Sequence, residues 1–574
     1  MPFSEQEQIR RDALNELTKL NINAYPPEEI HVNAYAADIL EKFPKNNELY
    51  QEVTLAGRMM SRRIMGAASF VELMDATGRI QLYVKRDDIC AEEDKTMYNT
   101  VFKRLLDIGD FISVTGYVFT TQMGEITVHV KSFKILSKSL RPLPIVKEKD
   151  GVIFDAFTDP DQRYRQRYVD LIVNEKVKDT FVKRAQVIRT MRDFLNDKGY
   201  LEVETPILQA IPGGAAARPF ATHHNALNIP LYLRIANELY LKRLIVGGFE
   251  GVYEFAKDFR NEGMDRFHNP EFTQMEIYVA YKDYFWMMDM TERMIEKIAL
   301  DLHGTTEVQV GKNIINFKAP FRRLSILDAI KEYTGIDVSE MDEQQLRETA
   351  HKLGVETDPS MGKGKLIDEL FGEKCEPNFI QPTFITDYPV EMSPLCKRHR
   401  GNPELTERFE LMVNGKELAN AYTELNDPID QRARFEEQMA LAEKGDDEAM
   451  FIDQDYLRAM EYGMPPTSGM GIGIDRLVMI MTNQQSIQEV LFFPQMRPEI
   501  VKKSFTGDDF AKLGIDSVWA PHLTLAGFSS PESLKESKPT AIQQTLNGYR
   551  KKNKLNLPAV QIEDINNWLA IINQ

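Results

Sequence analysis

The sequence predicts a multidomain α+β protein with a small β-barrel, a large mixed domain and a small helical C-terminal appendage. Its 574 residues exceed what one hydrophobic core of ordinary size organises, so at least two domains are expected. Short alternating runs at about 50–140 give way to long helical patterns from about residue 161. The length and this change of periodicity together set the predicted fold class.

Composition places the chain among ordinary globular proteins, with 43% apolar and 27% charged residues. No apolar run reaches the ~18 residues that suggest a membrane span, and the first residues lack the apolar core of a signal peptide. Cys90, Cys375 and Cys396 show neither CxxC spacing nor a disulfide framework. We therefore expect a cytoplasmic protein without membrane contact.

The net charge of −17 argues against a protein that binds nucleic acid through bulk attraction. It does not exclude RNA recognition on a local basic face, because phosphate contacts depend on where Lys and Arg lie. Charge alone therefore leaves RNA binding undecided.

The first part of the chain is predicted to contain a helical segment, a barrel and a linker. Residues 1–49 are predicted to be helical, with Leu14, Leu17 and Leu20 at helical spacing. Residues 50–141 contain alternating runs such as VTLAGRMMSRR and FISVTGYVFTT with a DATG turn, which predict a five-stranded barrel. The prolines of RPLPIVKEKD indicate a linker over 142–160.

The remaining chain is predicted to form a large α+β domain and a separate tail. The domain covers 161–498, carries a helical insertion at about 325–375, and ends after the strand–glycine–helix element SGMGIGIDRLVMIM. Residues 499–574 form the helical extension. Its basic patch, Arg550–Lys552 with Lys554, leaves a tRNA contact, internal packing or a protein partner as open roles.

A charged loop between two predicted strands lies in YEFAKDFRNEGMDRFHNPEFTQMEIYVAY. Arg260 and Arg266 flank the turn, and planar guanidinium groups grip phosphate oxygens in a bidentate manner. Phe272 supplies a flat face for a purine. This stretch therefore favours a nucleotide site.

A second candidate lies in GMGIGIDRLVMI, where Gly469, Gly471 and Gly473 alternate. One face of that strand carries no side chains, so a flat ligand can lie against the backbone. Arg476 follows at the start of a helix, from which it can reach a phosphate.

A third candidate is the hairpin RFELMVNGKELANAYTELND, because Asn414-Gly415 is a strong signal for a two-residue turn. In this register Met412 faces Glu417, and Glu410 lies diagonally from Glu417, roughly 7–8 Å away at Cβ. Two carboxylates so placed can share a magnesium ion that also bridges phosphates.

The same strand continues through Asn420, Tyr422 and Glu424 at period two. In an ideal strand Glu417 points to the opposite face from these three residues. One pocket that holds both sets therefore requires a β-bulge or a bend.

Taken together, these motifs resemble those of the class II aminoacyl-tRNA synthetases. FRNE followed by Phe272 resembles motif 2, GMGIGIDR resembles motif 3, and KGYLEVETPIL resembles motif 1, which forms the dimer interface in these enzymes. The resemblance covers about 50–498 and is closest to the lysine-specific members of subclass IIb. It implies an anticodon-binding OB-fold for the barrel, an antiparallel-sheet catalytic domain and a homodimer.

The resemblance implies ATP-dependent attachment of L-lysine to tRNA(Lys) through a lysyl-adenylate, with release of AMP and pyrophosphate. Magnesium, with several ions per site, is the implied cofactor, and ATP is the co-substrate. Arg260 and Arg476 are the implied catalytic residues. The implied ATP contacts are Arg260, Glu262, Arg266, His268, Asn269, Phe272, Glu417, Gly473 and Arg476. The implied metal ligands are Glu410 and Glu417, and the implied anticodon contacts are Arg62, Phe70, Gln81 and Glu125.

The resemblance also assigns the substrate amino acid, through Gly214, Glu238, Arg260, Glu276, Tyr278, Asn420, Tyr422 and Glu424. Gly214 and Glu238 are expected at the α-amino group, Arg260 at the carboxylate, and Glu424 with Tyr278 at the ε-ammonium. A pocket that selects lysine needs a negative group, and leaving that group unpaired penalises uncharged competitors. Glu424 therefore argues against the related aspartyl enzyme.

Three alternatives stay open at this point. A sister synthetase for aspartate or asparagine would share the motifs and the barrel, and amino-acid-dependent pyrophosphate exchange distinguishes it. A silent paralogue that only binds RNA or acts as a scaffold is expected to have lost Arg260, Glu417 or Arg476, and all three are present. A lysyltransferase that acts on a protein is expected to lack the barrel.

Overall fold

The computed structural model describes residues 3–90, 92–144, 147–149, 152–154, 157–215, 217–359, 361–442, 452–498, 505, 507–528, 530–535 and 537–572. The chain divides into two compact units, Met1–Gln495 and Met496–Gln574. Within the described ranges, no helix is at once long enough and apolar enough to cross a bilayer.

The first unit begins with a helical segment and a closed barrel. Its elements are α1 (Glu5–Lys19), α2 (Ala36–Lys42), β1 (Val53–Met65), β2 (Ala68–Met74), β3 (Arg79–Lys85), α3 (Arg86–Ile89), a π-helix (Met97–Leu105), β4 (Phe111–Thr120) and β5 (Ile126–Ser137). Ser4 and Glu7 form a capping box that starts α1. The barrel order is β1-β2-β3-β5-β4, with alternate side chains buried inside. This arrangement is the five-stranded OB-fold barrel that the sequence predicts.

The prediction of one helical segment over the first 49 residues needs a correction. Residues 20–35 are not helical. Pro26 and Pro27 lie in this stretch, and proline both lacks the backbone N–H and clashes with the preceding helical turn.

A short hairpin follows the barrel, with strands β6 (Lys147–Lys149) and β7 (Val152–Phe154). It lies in the stretch expected as a linker, of which 145–146, 150–151 and 155–156 fall outside the described residues.

The large α+β domain follows within the same unit. Its helices are α4 (Pro160–Arg165), α5 (Arg167–Val173), α6 (Glu175–Asn196), α7 (Glu238–Val246), α8 (Tyr284–His303), α9 (Ile326–Thr334), α10 (Glu343–Lys352), α11 (Lys363–Lys374), α12 (Pro428–Ala442), α13 (Gln454–Glu461) and α14 (Ile474–Met481). Its strands are β8 (Leu201–Glu202), β9 (Leu208–Gln209), β10 (Ala221–His224), β11 (Ile229–Leu233), β12 (Gly251–Phe259), β13 (Glu271–Ala280), β14 (Glu307–Val310), β15 (Asn313–Asn316), β16 (Arg322–Ser325), β17 (Thr383–Thr386), β18 (Arg408–Val413), β19 (Lys416–Thr423) and β20 (Thr467–Gly473).

One eight-stranded sheet organises this domain, in the order β16-β17-β18-β19-β20-β13-β12-β8. Most neighbouring strands pair antiparallel; β16 with β17 and β12 with β8 are parallel. Met275, Ile277 and Ile472 point into the core formed with α6, α8 and α14. The opposite face of the same strands carries polar residues, because successive side chains of a strand alternate between faces.

Helices α9 to α11 occupy the stretch predicted as a helical insertion and share a second core, which includes Ile330, Leu346, Leu366 and Phe371. The second unit contains α15 (Gly507–Lys512), α16 (Ala520–Leu523), α17 (Pro531–Lys535), α18 (Pro539–Lys552) and α19 (Ile562–Ile572). These helices enclose their own core around Trp519, Leu546 and Trp568. The predicted fold class, a multidomain α+β chain with a barrel and a helical appendage, is confirmed.

Candidate active site

The polar face of the eight-stranded sheet brings most of the predicted site residues together. Gln274, Glu276 and Tyr278 of β13 pair with Gly473, Gly471 and Gly469 of β20. Across the other edge of β20, Gly471 and Gly469 pair with Asn420 and Tyr422 of β19. Directly opposed residues of an antiparallel pair project to the same face. The motifs that the sequence separates by up to about 200 positions therefore form one surface.

The hairpin between β18 and β19 contains the β-bulge that the sequence pattern requires. Met412 pairs with Glu417, as predicted, but Leu411 pairs with Ala419, so Leu418 is the additional residue. Leu418 packs into the core, and the alternation of faces shifts by one residue there. Glu417 therefore lies on the same face as Asn420. The Asn414-Gly415 turn that fixes the register has φ values of 54° and 73°, as a two-residue turn with the native twist requires.

A buried acidic pocket lies where β13, β19 and β20 meet. Glu424, just beyond β19, and Tyr278 are 0% and 3% exposed. A Cβ at Gly469 would lie 2.1 Å from Glu424 Oε1 and 2.3 Å from Tyr278 Cε1. This position accepts only glycine, since the two side chains fill the space above the backbone. The open glycine face expected on this strand is therefore filled at Gly469. At Gly471 and Gly473 a Cβ would meet no atom closer than 3.7 Å, so the space above the backbone is open there.

Helix α7 closes the pocket. Glu238 at its first turn accepts a hydrogen bond of 2.8 Å from the Tyr422 hydroxyl. Gly214, with φ +88°, lies against it, and a Cβ there would meet the Glu238 Cβ at 3.1 Å. Lys242, one turn further along α7, donates to Glu238 Oε1 at 2.5 Å and forms an ion pair with Glu424.

Two further buried carboxyl groups lie beside this pocket. Glu276 accepts hydrogen bonds from the Tyr278 hydroxyl at 2.9 Å and from Gln274 at 2.5 Å. Burial, with the charges of Asp258 and Glu238, raises the pKa of Glu276 well above its usual range. Burial also raises the pKa of Asp258 to about 6, although Arg234 and Arg260 oppose the rise.

Arg260 forms a cationic end to the site, directly after β12. Its guanidinium lies 5.2 Å from the centre of the Phe272 ring, and its backbone N–H donates to the Pro270 carbonyl at 2.9 Å. Nε of Arg260 is buried, and no described residue accepts a hydrogen bond from it. A ligand carboxylate or phosphate can supply that acceptor.

Arg476 lies at the start of α14 and contacts residues from two other motifs. It donates to the Glu417 carbonyl at 2.8 Å and lies 3.1 Å from His268 Nε2. The other ring nitrogen of His268 lies 2.8 Å from the Asp265 carboxylate. Arg476 thus connects the β12–β13 loop and the β18–β19 hairpin with the segment that follows β20.

The other predicted loop residues are exposed or use their side chains within the loop. Glu262 and Arg266 are exposed, and the carbonyl of Arg266 accepts a hydrogen bond from Ile487 at 2.8 Å. Asn269 is 9% exposed and its amide donates to the Glu271 carbonyl at 2.5 Å. In this structure Asn269 therefore supports the loop backbone.

The pair proposed for a metal lies on the polar face of the hairpin. Arg408 donates to Glu410 Oε1 at 2.5 Å, and the Asn420 amide lies 3.3 Å from the same oxygen. Burial, reinforced by the charge of Glu417, raises the pKa of Glu410 to about 7. Within the described part of the chain, no group of three or more His, Cys, Asp or Glu residues suits a metal ion. Two carboxylates fit magnesium when phosphates and water complete the shell.

The barrel presents the residues predicted to read the anticodon on neighbouring strands. The rings of Phe70 and Tyr83 lie 5.3 Å apart, and the Gln81 amide donates to the Thr127 hydroxyl at 2.9 Å. Arg62 donates to the Phe102 carbonyl, and its guanidinium is half-buried. Glu125 is exposed at the end of the β4–β5 turn.

Several lysines and arginines of the barrel use their charge within the chain. Lys85 and Arg86 lie 3.4 Å and 3.0 Å from Asp88 and Asp87. Arg58 donates to the Gly109 carbonyl at 2.8 Å. Arg63 remains exposed.

Lys242 and the aromatic neighbours of Phe70 were not predicted from the sequence. His129 stacks on Tyr117 with ring centres 4.9 Å apart and contacts Tyr83 edge-on at 5.1 Å. For Lys242, the available signal was its i,i+4 spacing from Glu238 on a predicted helix. For the aromatic neighbours of Phe70, the signal was the alternation of side chains along β3, β4 and β5, which places alternate residues on the same face.

Comparison with protein families gives two matches to this chain. Residues 159–497 match the family described as tRNA synthetases class II (D, K and N). Residues 53–136 match the family described as OB-fold nucleic acid binding domain. The first match alone covers more than half of the chain.

Relatives extend the similarity along the chain. A lysine–tRNA ligase of Porphyromonas gingivalis is 65% identical over 569 residues, covering 99% of this chain and 98% of its own. One of Christiangramia forsetii is 66% identical over 498 residues, or 87% of each chain. One of Azobacteroides pseudotrichonymphae is 65% identical over 497 residues, 87% of this chain and 99% of its own. This chain belongs to the lysine–tRNA ligase family of the class II tRNA synthetases.

Proposed function

We propose that this protein attaches L-lysine to tRNA(Lys) with ATP as co-substrate, through a lysyl-adenylate. The observation that carries the proposal is that one face of the sheet has a buried acceptor without a hydrogen bond at one end and a buried donor without a hydrogen bond at the other. Glu424 Oε1 at one end and Arg260 Nε at the other are buried, and no described residue forms a hydrogen bond with either atom. An amino acid with a carboxylate and a distal ammonium group completes both.

The assignment of lysine within the D, K and N group rests on the sign of the pocket charge. Glu424 and Glu238 lie deep in the pocket, and Tyr278 and Tyr422 line it. An aspartate side chain would place a third carboxylate beside these two and would be repelled. The acidic pocket and the relatives together favour lysine.

The first step joins the lysine carboxylate to the α-phosphate of ATP and releases pyrophosphate. Arg260 bridges the carboxylate and the α-phosphate, while Arg476 and Arg266 hold the outer phosphates. Phe272 offers its ring to the adenine. Positioning and charge neutralisation account for catalysis, and no side chain forms a covalent intermediate.

Magnesium fits the donor set of Glu410 and Glu417. When bound, it supplies positive charge that neutralises the phosphate oxygens. The chain's own contribution is to hold Glu410 through Arg408 and Glu417 through the β-bulge, on the face that Arg476 also reaches.

In the second step, the terminal ribose hydroxyl of tRNA attacks the activated carbonyl and releases AMP. The barrel receives the anticodon, with Phe70 as a stacking surface and Arg62, Gln81 and Glu125 as polar contacts. Aromatic surfaces of OB-folds stack on single-stranded bases, which supports this role.

The active form is a homodimer through motif 1. Apolar side chains around this segment are exposed, including Leu201 at 47%, Ile207 at 44% and Leu208 at 50%. Exposed apolar groups that cluster on one element are typical of protein contacts. Strand β8 is also an edge of the main sheet, where a second copy can pack.

ATP–pyrophosphate exchange with each of the twenty amino acids tests the first step, and charging of unfractionated tRNA tests the second. We expect exchange with lysine only and charging of tRNA(Lys). Exchange that depends on aspartate or asparagine would assign the chain to a sister activity. Lysine-dependent exchange without tRNA charging would retain the pocket assignment and overturn the complete function.

A further inference from the structure

Lys242 lies entirely inside the acidic pocket, although nothing in the motifs assigns it a role. Its side chain is 0% exposed and its ammonium reaches both carboxylates of the pocket. It donates to Glu238 Oε1 at 2.5 Å and forms an ion pair with Glu424 Oε2. The chain therefore places its own ammonium group between the two glutamates proposed to hold the two ammonium groups of the substrate.

The contacts of Lys242 divide the oxygens of each glutamate into two kinds. Glu424 gives Oε2 to Lys242, while its Oε1 is buried without a hydrogen-bond partner among the described residues. Glu238 uses Oε1 for both Lys242 and the Tyr422 hydroxyl. The hydrogen bonds that described residues donate to the Glu238 carboxylate both end on Oε1. Each carboxylate is thus anchored by one oxygen and keeps the other for a ligand.

Three tyrosines hold the ammonium in place. The ring centres of Tyr422, Tyr278 and Tyr456 lie 5.5 Å, 6.0 Å and 6.0 Å from Lys242 Nζ. Cation–π attraction is strongest where water is excluded, as it is here. Burial lowers the pKa of Lys242, but the charges of Glu238 and Glu424 raise it well above its usual value. Lys242 is therefore a fixed, charged element of the pocket at neutral pH.

We propose that Lys242 is a positioning residue that sets the spacing and orientation of Glu238 and Glu424, and so makes the pocket selective for a diammonium amino acid of the length of lysine. The proposal rests on the proposed function and deepens it. A shorter diammonium compound cannot reach both free oxygens when their separation is fixed. An uncharged side chain leaves Glu424 Oε1 buried and unpaired, which is costly.

A purely structural role for Lys242 makes different predictions. If its charge only neutralised two buried carboxylates, any cation at this position would preserve selectivity, and its loss would lower stability without changing discrimination. A positioning role requires both the positive charge of lysine and the length of its side chain, which ends in a compact ammonium group. Discrimination between lysine and ornithine therefore separates the two roles.

The experiment measures ATP–pyrophosphate exchange with lysine and with ornithine for the full chain. We expect Lys242→Met to raise KM for lysine about 100-fold, with KM for ATP changed less than about threefold. The ratio of kcat/KM for lysine over ornithine should fall at least about tenfold. Lys242→Arg retains the charge with a longer planar head, and it should keep the melting temperature while losing most of the ratio.

Lys138→Met is the matched control, because Lys138 is a second fully buried lysine between two carboxylates, Asp107 and Asp110, in the barrel. Its lysine-over-ornithine ratio should equal that of the unmodified protein. A wild-type ratio in folded Lys242→Met overturns the proposal, and if that variant does not fold, a wild-type ratio in Lys242→Arg does so. Absence of lysine-dependent exchange in the unmodified protein overturns the proposed function instead.

Discussion

Lys138 in the barrel and Lys242 in the catalytic domain are both fully buried between two carboxylates, yet their surroundings differ. Around Lys138, Asp110 also accepts the backbone N–H groups of Ser139 at 2.7 Å and Asp107 at 2.8 Å. Both oxygens of Asp110 are therefore satisfied within the barrel. Around Lys242, both oxygens of Glu424 are buried without a hydrogen-bond partner among the described residues, and only Oε2 has an ion pair, with Lys242.

The hydrogen bonding of the carboxylates distinguishes the two clusters. The cluster around Lys138 is complete and stabilises the fold, whereas the cluster around Lys242 has a carboxylate oxygen that can accept a ligand. A buried carboxylate with a vacant oxygen is unfavourable unless another group completes it. In the barrel the backbone completes it. In the pocket we propose that the substrate completes it. Four experiments test this contrast.

The largest effect is expected for Arg260→Ala. Its loss removes the cation proposed to bridge the lysine carboxylate and the α-phosphate, so lysine-dependent exchange should fall by at least about 1,000-fold. Arg293→Ala, on the exposed face of α8, serves as the matched control and should leave exchange unchanged. Near-normal exchange in Arg260→Ala would defeat the assignment of the cationic end.

Lys138→Met should lower the free energy of unfolding by about 3–5 kcal/mol, because it leaves Asp107 and Asp110 without their cation. Chemical denaturation monitored by circular dichroism measures this loss. Exchange with lysine should remain at the wild-type level under conditions where the variant is folded. A stable variant with impaired exchange would mean that the barrel cluster is coupled to the catalytic site.

Gly469→Ala should reduce kcat/KM for lysine by about 10- to 100-fold. The new Cβ would lie 2.1 Å from Glu424 Oε1, so the carboxylate or the strand has to move. Gly372→Ala in α11, outside the proposed site, is the matched control, since a Cβ there would meet no atom of another segment within 4 Å. Equal losses in the two variants would show that the loss does not arise from the space occupied by Glu424.

The smallest effect concerns the pH dependence of stability. Because burial raises the pKa of Asp258 to about 6, the folded protein holds a proton between about pH 4 and 6 that the unfolded chain has released. This group's contribution to stability therefore falls as pH rises through that window. Chemical denaturation at several pH values gives the free energy of unfolding of the wild type and of Asp258→Asn. Between about pH 4 and 6, the slope of this free energy against pH should differ between the two proteins by up to about 1.4 kcal/mol per pH unit. Parallel pH profiles would contradict the raised pKa.

Part of the site was predictable because its signals are local. The Asn414-Gly415 turn sets the register that brings Met412 opposite Glu417, and the pairing in the structure agrees. Alternation of Gly469, Gly471 and Gly473 predicted that these three residues share one face of β20, and the pairing in the structure agrees. A turn dipeptide and a two-residue period need no tertiary contact to be read.

Other features depend on contacts between distant segments. The identity of the bulged residue, Leu418, follows from how the core accepts its side chain, and the sequence predicted only that some bulge was needed. The ion pair of Lys242 with Glu424 joins positions 182 residues apart, so only the Glu238 partner was visible from helix spacing. The open space expected at Gly469 is filled by the side chains of Tyr278, from β13, and Glu424, just beyond β19.

The bulge at Leu418 also makes the length of this strand critical. The residues proposed for the metal and for lysine share one strand, and a single extra position keeps both on one side of the sheet. Loss or gain of one residue between Glu417 and Asn420 would invert one set relative to the other while leaving the composition almost untouched. A substitution in this segment changes one side chain at a time. A one-codon deletion or insertion would instead move the residues proposed for the metal and those proposed for lysine to opposite faces of the sheet in a single step.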